Sequence, residues 1–153
     1  MKFNILACVA GLSLCLPLST GAAETFVFTS TTKQIDRVQL PAATPSGRPS
    51  GAGIFTLDTK TTYADGKVTQ IAGKCAQWIL PPGEQFGSNS VCTYADATGE
   101  LYTVRFTCEV PGPGQSCWGK LIGTGGRFKG RTGSFTSGSN GAQGNLGAGF
   151  WAN

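Results

Sequence analysis

The segment Cys117–Phe135, CWGKLIGTGGRFKGRTGSF, decides the fold, because it holds six glycines, four basic residues and two phenylalanines. A phosphate-binding loop needs GK[ST] or GxGxxG spacing at the start of a helix, and neither spacing is present here. The residues that follow, SFTSGSNG, do not have a helical pattern. Glycine tolerates positive φ and sharp curvature, so these glycines favour turns and bends where a sheet closes. The segment therefore predicts the corner of a β-barrel.

The rest of the chain alternates Val, Thr, Phe and Tyr with polar residues, a pattern typical of strands. Eight strands are predicted, at 25–32, 52–62, 67–78, 90–96, 101–109, 116–122, 131–137 and 143–151. Most connections are short, so consecutive strands should pair antiparallel. The predicted fold is all-β, an eight-stranded antiparallel up-and-down β-barrel, with a β-sandwich as the alternative. The one long connection, 33–51, is rich in Pro, Ser and Gly and is predicted to be a surface loop.

The first 23 residues have the pattern of an export signal. Lys2 precedes the apolar run FNILACVAGLSLCLPL, and the small residues Gly21 and Ala23 favour cleavage ahead of Glu24. Residues 1–23 are therefore predicted to be a signal peptide, and 24–153 a single domain that is secreted or periplasmic. A lipid anchor on Cys8 or Cys15 fits less well, and no later segment is apolar enough to span a membrane.

Charge and composition argue against several classes of function. Cleavage would lower the number of basic residues from 12 to 11 against 8 acidic ones, and so small an excess does not indicate a nucleic-acid partner. The chain has no histidine and no CxxC pair, so no metal site is predicted. A Ser-His-Asp or Cys-His arrangement is excluded for the same reason. No cofactor is predicted, and no residue is assigned a catalytic role.

The four cysteines outside the signal peptide predict two disulfides, because cysteines of exported proteins usually pair. Cys108 and Cys117 are equidistant from the centre of EVPGPGQS, and a hairpin folded there would set them opposite each other. Cys75 and Cys92 are likewise equidistant from the centre of LPPGEQFG. Of the three connectivities, these symmetries favour 75–92 together with 108–117.

The Cys108–Cys117 hairpin also fixes which residues face each other. The register predicts Phe106 opposite Gly119 and Val104 opposite Leu121, with Arg105 on the outer, solvated face. An aromatic ring that covers a strand glycine is a known packing device. Large aromatics bury well, so all three tryptophans are predicted to pack in the core or at a barrel end: Trp78, Trp118 and Trp151.

A short internal repeat marks one end of the predicted barrel. TYADG at 62–66 recurs as TYADA at 93–97, each time where a strand enters a turn. Alternate turns of a meander share one end, so both copies should lie beside the glycine segment at one mouth of the barrel. The candidate ligand-contacting residues of this rim are Tyr63, Asp65, Tyr94, Asp96, Arg127 and Lys129. The alternative is that the aspartates cap their turns while the basic side chains are solvated or pair with those aspartates.

The run GTGGRFKGRTGSF resembles the glycine-rich hairpin of the allene oxide cyclase and dirigent barrel superfamily. Gly126, Phe128 and Gly133 match the spacing of that hairpin. Small exported bacterial proteins of no established activity, with a similar CWGKL ending, resemble the chain more closely. The resemblance implies an eight-stranded barrel. It carries over no catalytic residue, because the chain lacks a counterpart of either enzyme family's catalytic set, and Arg131 stands where dirigent proteins have a small residue.

Three functions remain as hypotheses. The first is a non-catalytic binding module that holds a small apolar or amphipathic ligand inside the barrel. The second is a protein that interacts through its outer surface, with homo-oligomers left open. The third is an isomerase or cyclase by family analogy, in which Asp, Glu or Tyr would have to handle protons.

Overall fold

The computed structural model describes residues 22–42, 49–81, 83–109, 115–139 and 144–152. Eight strands form one closed antiparallel barrel in sequence order, and the first strand pairs with the last. The strands are β1 Glu24–Leu40, β2 Ser50–Tyr63, β3 Val68–Ile79, β4 Ser88–Asp96, β5 Gly99–Cys108, β6 Ser116–Gly123, β7 Thr132–Ser139 and β8 Gly144–Ala152. The predicted up-and-down barrel is thus confirmed, and the sandwich alternative is excluded.

Apart from Ala22 and Ala23, the predicted signal peptide lies outside the described residues. In the part of the chain that the structure describes, no helix is long and apolar enough to cross a membrane.

The prediction of a surface loop over 33–51 is wrong at both of its ends. Residues 33–40 continue β1, and Ser50 and Gly51 begin β2. The two strands stay paired as far as Leu40 and Ser50, with a bulge between Gln34 and Asp36. The polar, glycine-rich composition hid this pairing, because the hairpin beyond the bulge is largely exposed and needs little apolar alternation.

Both predicted disulfides are confirmed, and so is the predicted register of β5 against β6. Cys75 is bonded to Cys92 across β3 and β4, and Cys108 to Cys117 across β5 and β6. As expected, Phe106 faces Gly119 and Val104 faces Leu121. Arg105, on the opposite face of β5, is exposed.

Aromatic rings and glycines alternate along one row of the inner wall. Phe26, Gly149, Phe135, Gly119 and Phe106 are successive register partners across β1, β8, β7, β6 and β5. A Cβ atom at Gly149 would lie 2.5 Å from Cζ of Phe26, so the ring occupies the place of the missing side chain. Rings that lie against the wall in this way leave room at the centre of the barrel.

The tryptophan prediction is right for one residue and wrong for two. Trp151 is 2% exposed, whereas Trp78 and Trp118 are 54% and 39% exposed. Strand alternation explains the difference, because Trp78 is in register with exposed Ala52 and therefore points outward. Trp118 also lies on the outer face, where the ring of Phe86 packs edge-on against it at 5.4 Å.

The glycine segment forms the connection between β6 and β7, as predicted. It contains one short 3₁₀ turn, Gly126–Phe128, and Gly126 and Gly130 have φ values of +52° and +78°. These left-handed conformations favour glycine and fold the loop back across the end of the barrel. The side chain of Phe128 is 2% exposed as a result. The loop therefore closes one end of the barrel.

Candidate ligand-binding cavity

A cavity of about 310 Å³ occupies the interior of the barrel. Four aromatic residues form its floor, near the end that carries the turns after β2, β4 and β6: Tyr63, Tyr94, Tyr102 and Trp151. Eight apolar residues form a belt above the floor: Phe26, Phe28, Phe55, Leu57, Val104, Phe106, Leu121 and Phe135. Mainly polar residues form the mouth at the other end: Thr32, Gln77, Gln115, Ser137, Ser139 and Asn145. We call the two ends of the barrel the turn end and the loop end.

Three of the four floor rings are in contact through Tyr102. Tyr94 and Tyr102 are register partners on β4 and β5, and their rings stack at 4.8 Å. Tyr102 also packs edge-on against Phe128 and Trp151, at 5.0 and 5.4 Å. A bulge in β5 leaves Leu101 as the extra residue, and its carbonyl accepts hydrogen bonds from two amides of the glycine loop. The floor residues are between 2% and 7% exposed, so the cavity is closed at the turn end.

Two ion pairs lie beneath the floor. The carboxylate of Glu24, the first residue of β1, accepts hydrogen bonds from Nη1 of Arg127 at 3.0 Å and Nη1 of Arg131 at 2.7 Å. The guanidinium of Arg127 lies 4.1 Å from the centre of the Tyr63 ring and 4.7 Å from that of Phe128. The first strand is thus tied to the loop that follows β6.

The loop end has a different character. The mouth residues are half-buried or exposed, with Ser139 exposed, so the cavity reaches solvent there. The disulfide Cys108–Cys117 lines the wall next to the mouth and holds β5 and β6 together. A small molecule would therefore enter from the loop end.

The cavity wall carries no Asp, Glu, Lys or Arg side chain among the described residues. Burial raises the pKa of Tyr102, and the nearby phenols of Tyr94 and Tyr63 add to the effect. Burial likewise raises the pKa of Tyr94, although its hydrogen bond with Thr59 opposes the shift. These two phenols are therefore neutral at physiological pH. In the same described part of the chain, no group of three His, Cys, Asp or Glu side chains could hold a metal ion.

The structure brings the six predicted rim residues to the turn end, where Arg127 contacts the ring of Tyr63, but the six side chains do not line one site. Of the six, the cavity is lined only by Tyr63 and Tyr94. Asp65 accepts a hydrogen bond from the amide of Lys67 at 2.9 Å, which is the capping role that the alternative interpretation gives it. Lys129 is exposed.

Asp96 and Arg127 also point away from the cavity. Asp96 accepts hydrogen bonds from the hydroxyl and the amide of Thr98, and these bonds lower the pKa of its carboxyl. Arg127 pairs with Glu24 rather than with Asp65 or Asp96. The expectation that this rim is the mouth of the barrel is therefore corrected, because the rim is the closed end.

Tyr102 is not among the predicted site residues, although it shares the inner face of β5 with Val104. The signal was available, since the chain has only three tyrosines and inward parity puts Tyr102 near the two Tyr-Ala-Asp repeats. The mouth residues carried no comparable signal, because isolated Ser, Thr, Gln and Asn are common in exposed strands and loops.

Comparison of the chain with protein-family models, with curated proteins and with solved structures returns no match.

Proposed function

We propose that this protein is a non-catalytic binding module that holds a small, uncharged, largely apolar molecule inside the barrel. The single observation that carries the proposal is the cavity of about 310 Å³, with its apolar belt and its uncharged wall. Well-packed interiors rarely contain voids larger than a water molecule. An engineered apolar cavity of roughly 150 Å³ binds benzene, so a molecule about the size of two fused rings is a reasonable occupant.

The proposal also includes export of the protein and its resemblance to the barrel superfamily. Two disulfides are typical of proteins that fold in an oxidising compartment, and they fit a secreted or periplasmic carrier. The eight-stranded meander agrees with the barrel that the glycine hairpin led us to expect. Neither point bears on which molecule is bound.

Naphthalene binding to the purified, oxidised protein tests this function by titration calorimetry. Ser30 lines the cavity and is 6% exposed, so Ser30→Phe should place a ring in the interior and weaken naphthalene binding at least ten-fold. Thr31→Phe is the matched control, because Thr31 is exposed on the opposite face of β1 and should leave the affinity unchanged. No binding to the wild type, or equal effects of the two substitutions, would contradict the proposal.

A second candidate function is interaction through the outside of the barrel. Val27, Leu146, Phe150 and Trp118 lie on β1, β8 and β6 and are between 39% and 58% exposed. Val27, Leu146 and Trp118 line an outer cleft of the barrel. If this surface pairs two copies of the chain, sedimentation velocity will show a dimer that Leu146→Lys dissociates. A monomer at all concentrations would remove this candidate.

A further inference from the structure

All three tyrosines of the chain meet at the floor of the cavity. They come from β2, β4 and β5, and each is more than nine-tenths buried. The rings of Tyr94 and Tyr102 are stacked, and Tyr63 lies close enough for its phenol to influence the ionisation of Tyr102. Three phenols at one end of an otherwise apolar cavity form a cluster of hydrogen-bonding groups, which we call the tyrosine floor.

The hydrogen bonds of these phenols are unequally satisfied. The hydroxyl of Tyr94 is 3.1 Å from Oγ1 of Thr59, a buried hydrogen bond in which either atom is the donor. The phenols of Tyr63 and Tyr102 make no hydrogen bond to any part of the chain that the structure describes. The two residues are 4% and 7% exposed as a whole, and their hydroxyl oxygens retain some accessible surface. Tyrosine hydroxyls in such a site usually have a hydrogen-bond partner. Both residues line the cavity, so a polar atom inside it would supply that partner.

The charge of the site restricts that polar atom to a neutral group. Two arginines lie against floor rings without lining the cavity: Arg127 is 4.1 Å from the centre of the Tyr63 ring, and Arg131 is 5.8 Å from that of Trp151. Both are paired with Glu24. A carboxylate or ammonium at the floor would lose its hydration without gaining an opposite charge from the described wall. A hydroxyl or carbonyl needs only the hydrogen bonds that two phenols offer, since each phenol both donates and accepts.

We propose that the bound molecule is uncharged and carries a hydroxyl or carbonyl group at its buried end, held by hydrogen bonds to the phenols of Tyr63 and Tyr102. This inference rests on the proposed binding function. The apolar body of the molecule packs against the phenylalanines and leucines of the belt, and its other end points to the polar mouth. Tyr63 and Tyr102 determine which polar group is accepted, while the belt determines the size and shape of the body.

Three probes of similar shape separate these contributions: naphthalene, 2-naphthol and 2-naphthoate, each titrated calorimetrically at pH 6.5. In the wild type, 2-naphthol should bind at least as tightly as naphthalene and at least ten-fold more tightly than 2-naphthoate. In Tyr63→Phe/Tyr102→Phe, the affinity for 2-naphthol relative to naphthalene should fall about ten-fold, the effect of losing buried hydrogen bonds. Naphthalene makes no hydrogen bond, so the naphthalene affinity of each protein serves as the reference for this ratio. Far-UV circular dichroism and the unfolding midpoint in urea show independently that the variant is folded.

The possible failures of the two proposals are distinguishable. If none of the probes binds the wild type, the proposed function itself fails. If naphthalene binds but the ratio of 2-naphthol to naphthalene affinity is the same in both proteins, the cavity binds ligands and the tyrosine floor does not select them. If 2-naphthoate binds as tightly as 2-naphthol, the restriction to neutral ligands is wrong. Should the double variant not fold, the single variants Tyr63→Phe and Tyr102→Phe are each expected to lower the ratio about three-fold, and an unchanged ratio in both would overturn the inference.

Discussion

The two ends of this barrel are made from the same strands and differ in how they are filled. At the turn end, the four aromatic floor residues and Phe128 are between 2% and 7% exposed, and the Glu24 ion pairs lie beneath them. At the loop end, the same strands end in Ser, Thr, Gln and Asn side chains that are half-buried or exposed. Closing the sheet removes its edges but does not decide whether its interior is filled. Large aromatic side chains fill the interior at the turn end, and shorter polar side chains leave it open at the loop end.

Substitutions in the two regions should therefore affect different properties of the protein. Substitutions at the turn end should mainly change the free energy of unfolding, because the packed contacts are there. Substitutions along the cavity wall should mainly change ligand affinity, because that wall already faces open space.

Phe128→Ala should cause the largest loss of stability, about 3–5 kcal/mol in the free energy of unfolding. The ring is 2% exposed and contacts Tyr102 and Trp151, so its removal leaves a void beneath the floor. Lys129→Ala, at the next position of the same loop, is the control and should change stability by less than about 0.5 kcal/mol. Urea denaturation measures both. Similar small effects of the two substitutions would mean that the turn end is not packed as described.

Removal of the disulfides should rank next and should differ between the two bonds. Cys75→Ala/Cys92→Ala removes a fully buried crosslink with a sequence separation of 17, and should cost about 3 kcal/mol. Cys108→Ala/Cys117→Ala removes the crosslink near the mouth, with a separation of 9, and should cost about 2.5 kcal/mol on loop closure alone. Because Cys75 and Cys92 are more deeply buried than Cys108 and Cys117, the two losses of unfolding free energy should differ by more than loop closure alone gives. Denaturation under non-reducing conditions gives both values, and a larger loss for the mouth disulfide would contradict the comparison.

Alkaline pH should destabilise the protein through the tyrosine floor. The pKa values of Tyr94 and Tyr102 are raised in the folded protein above the ordinary value of 10.0, so the unfolded chain releases these protons first as the pH rises. Their contribution to stability is therefore complete below pH 10 and is lost above it, by up to about 1.4 kcal/mol per pH unit for each group.

Tyrosine absorbance at 295 nm reads this cluster directly, because the chain has no other tyrosines. At pH 11 the folded protein should keep Tyr94 and Tyr102 protonated, and both should ionise when the protein unfolds. Tyr102→Phe should halve the decline of stability between pH 10 and 11. Ionisation of Tyr94 and Tyr102 near pH 10 without unfolding would show that the floor is open to solvent.

Glu24→Gln should have the smallest effect, a loss of about 1 kcal/mol. The carboxylate and its two arginine partners are between 18% and 32% exposed, so solvent screens the pairs and the loss lies near the upper end for exposed salt bridges. Glu84→Gln, at an exposed glutamate of the loop end, is the control and should be neutral. The difference between the two variants should shrink in 1 M NaCl. A difference that does not depend on salt would point to lost packing rather than lost charge.

Much of the architecture was predictable because it depends on local rules. The symmetric spacing of Cys108 and Cys117 gave the register of β5 and β6, and alternation then fixed the inward side of β5. The positions of Gly126 and Gly130 indicated a tight loop rather than a phosphate site. Such features are read from a few neighbouring residues, so they do not require knowledge of the tertiary structure.

The errors come from features that only the assembled barrel determines. Trp78 is a large apolar residue, and only its outward parity opposite Ala52 explains its exposure. The paired part of β1 beyond the bulge is exposed, and even its apolar residues Val38 and Leu40 face solvent, so no buried alternation marks it as a strand. Which end of the barrel is closed depends on whether Phe128 turns inward from its loop, and nothing in the local sequence states that direction. The sequence therefore predicts the correct end of the barrel for Tyr63 and Tyr94, but it wrongly predicts that the barrel opens at that end.

The most direct test of the central claim is a crystal structure of the oxidised protein with 1-bromonaphthalene, with data collected at the bromine absorption edge. We predict an anomalous peak inside the barrel, within the belt formed by Phe26, Phe106 and Phe135 and above the tyrosine floor. A peak only in the outer cleft beside Val27 and Leu146, or no peak inside a closed barrel, would contradict the account.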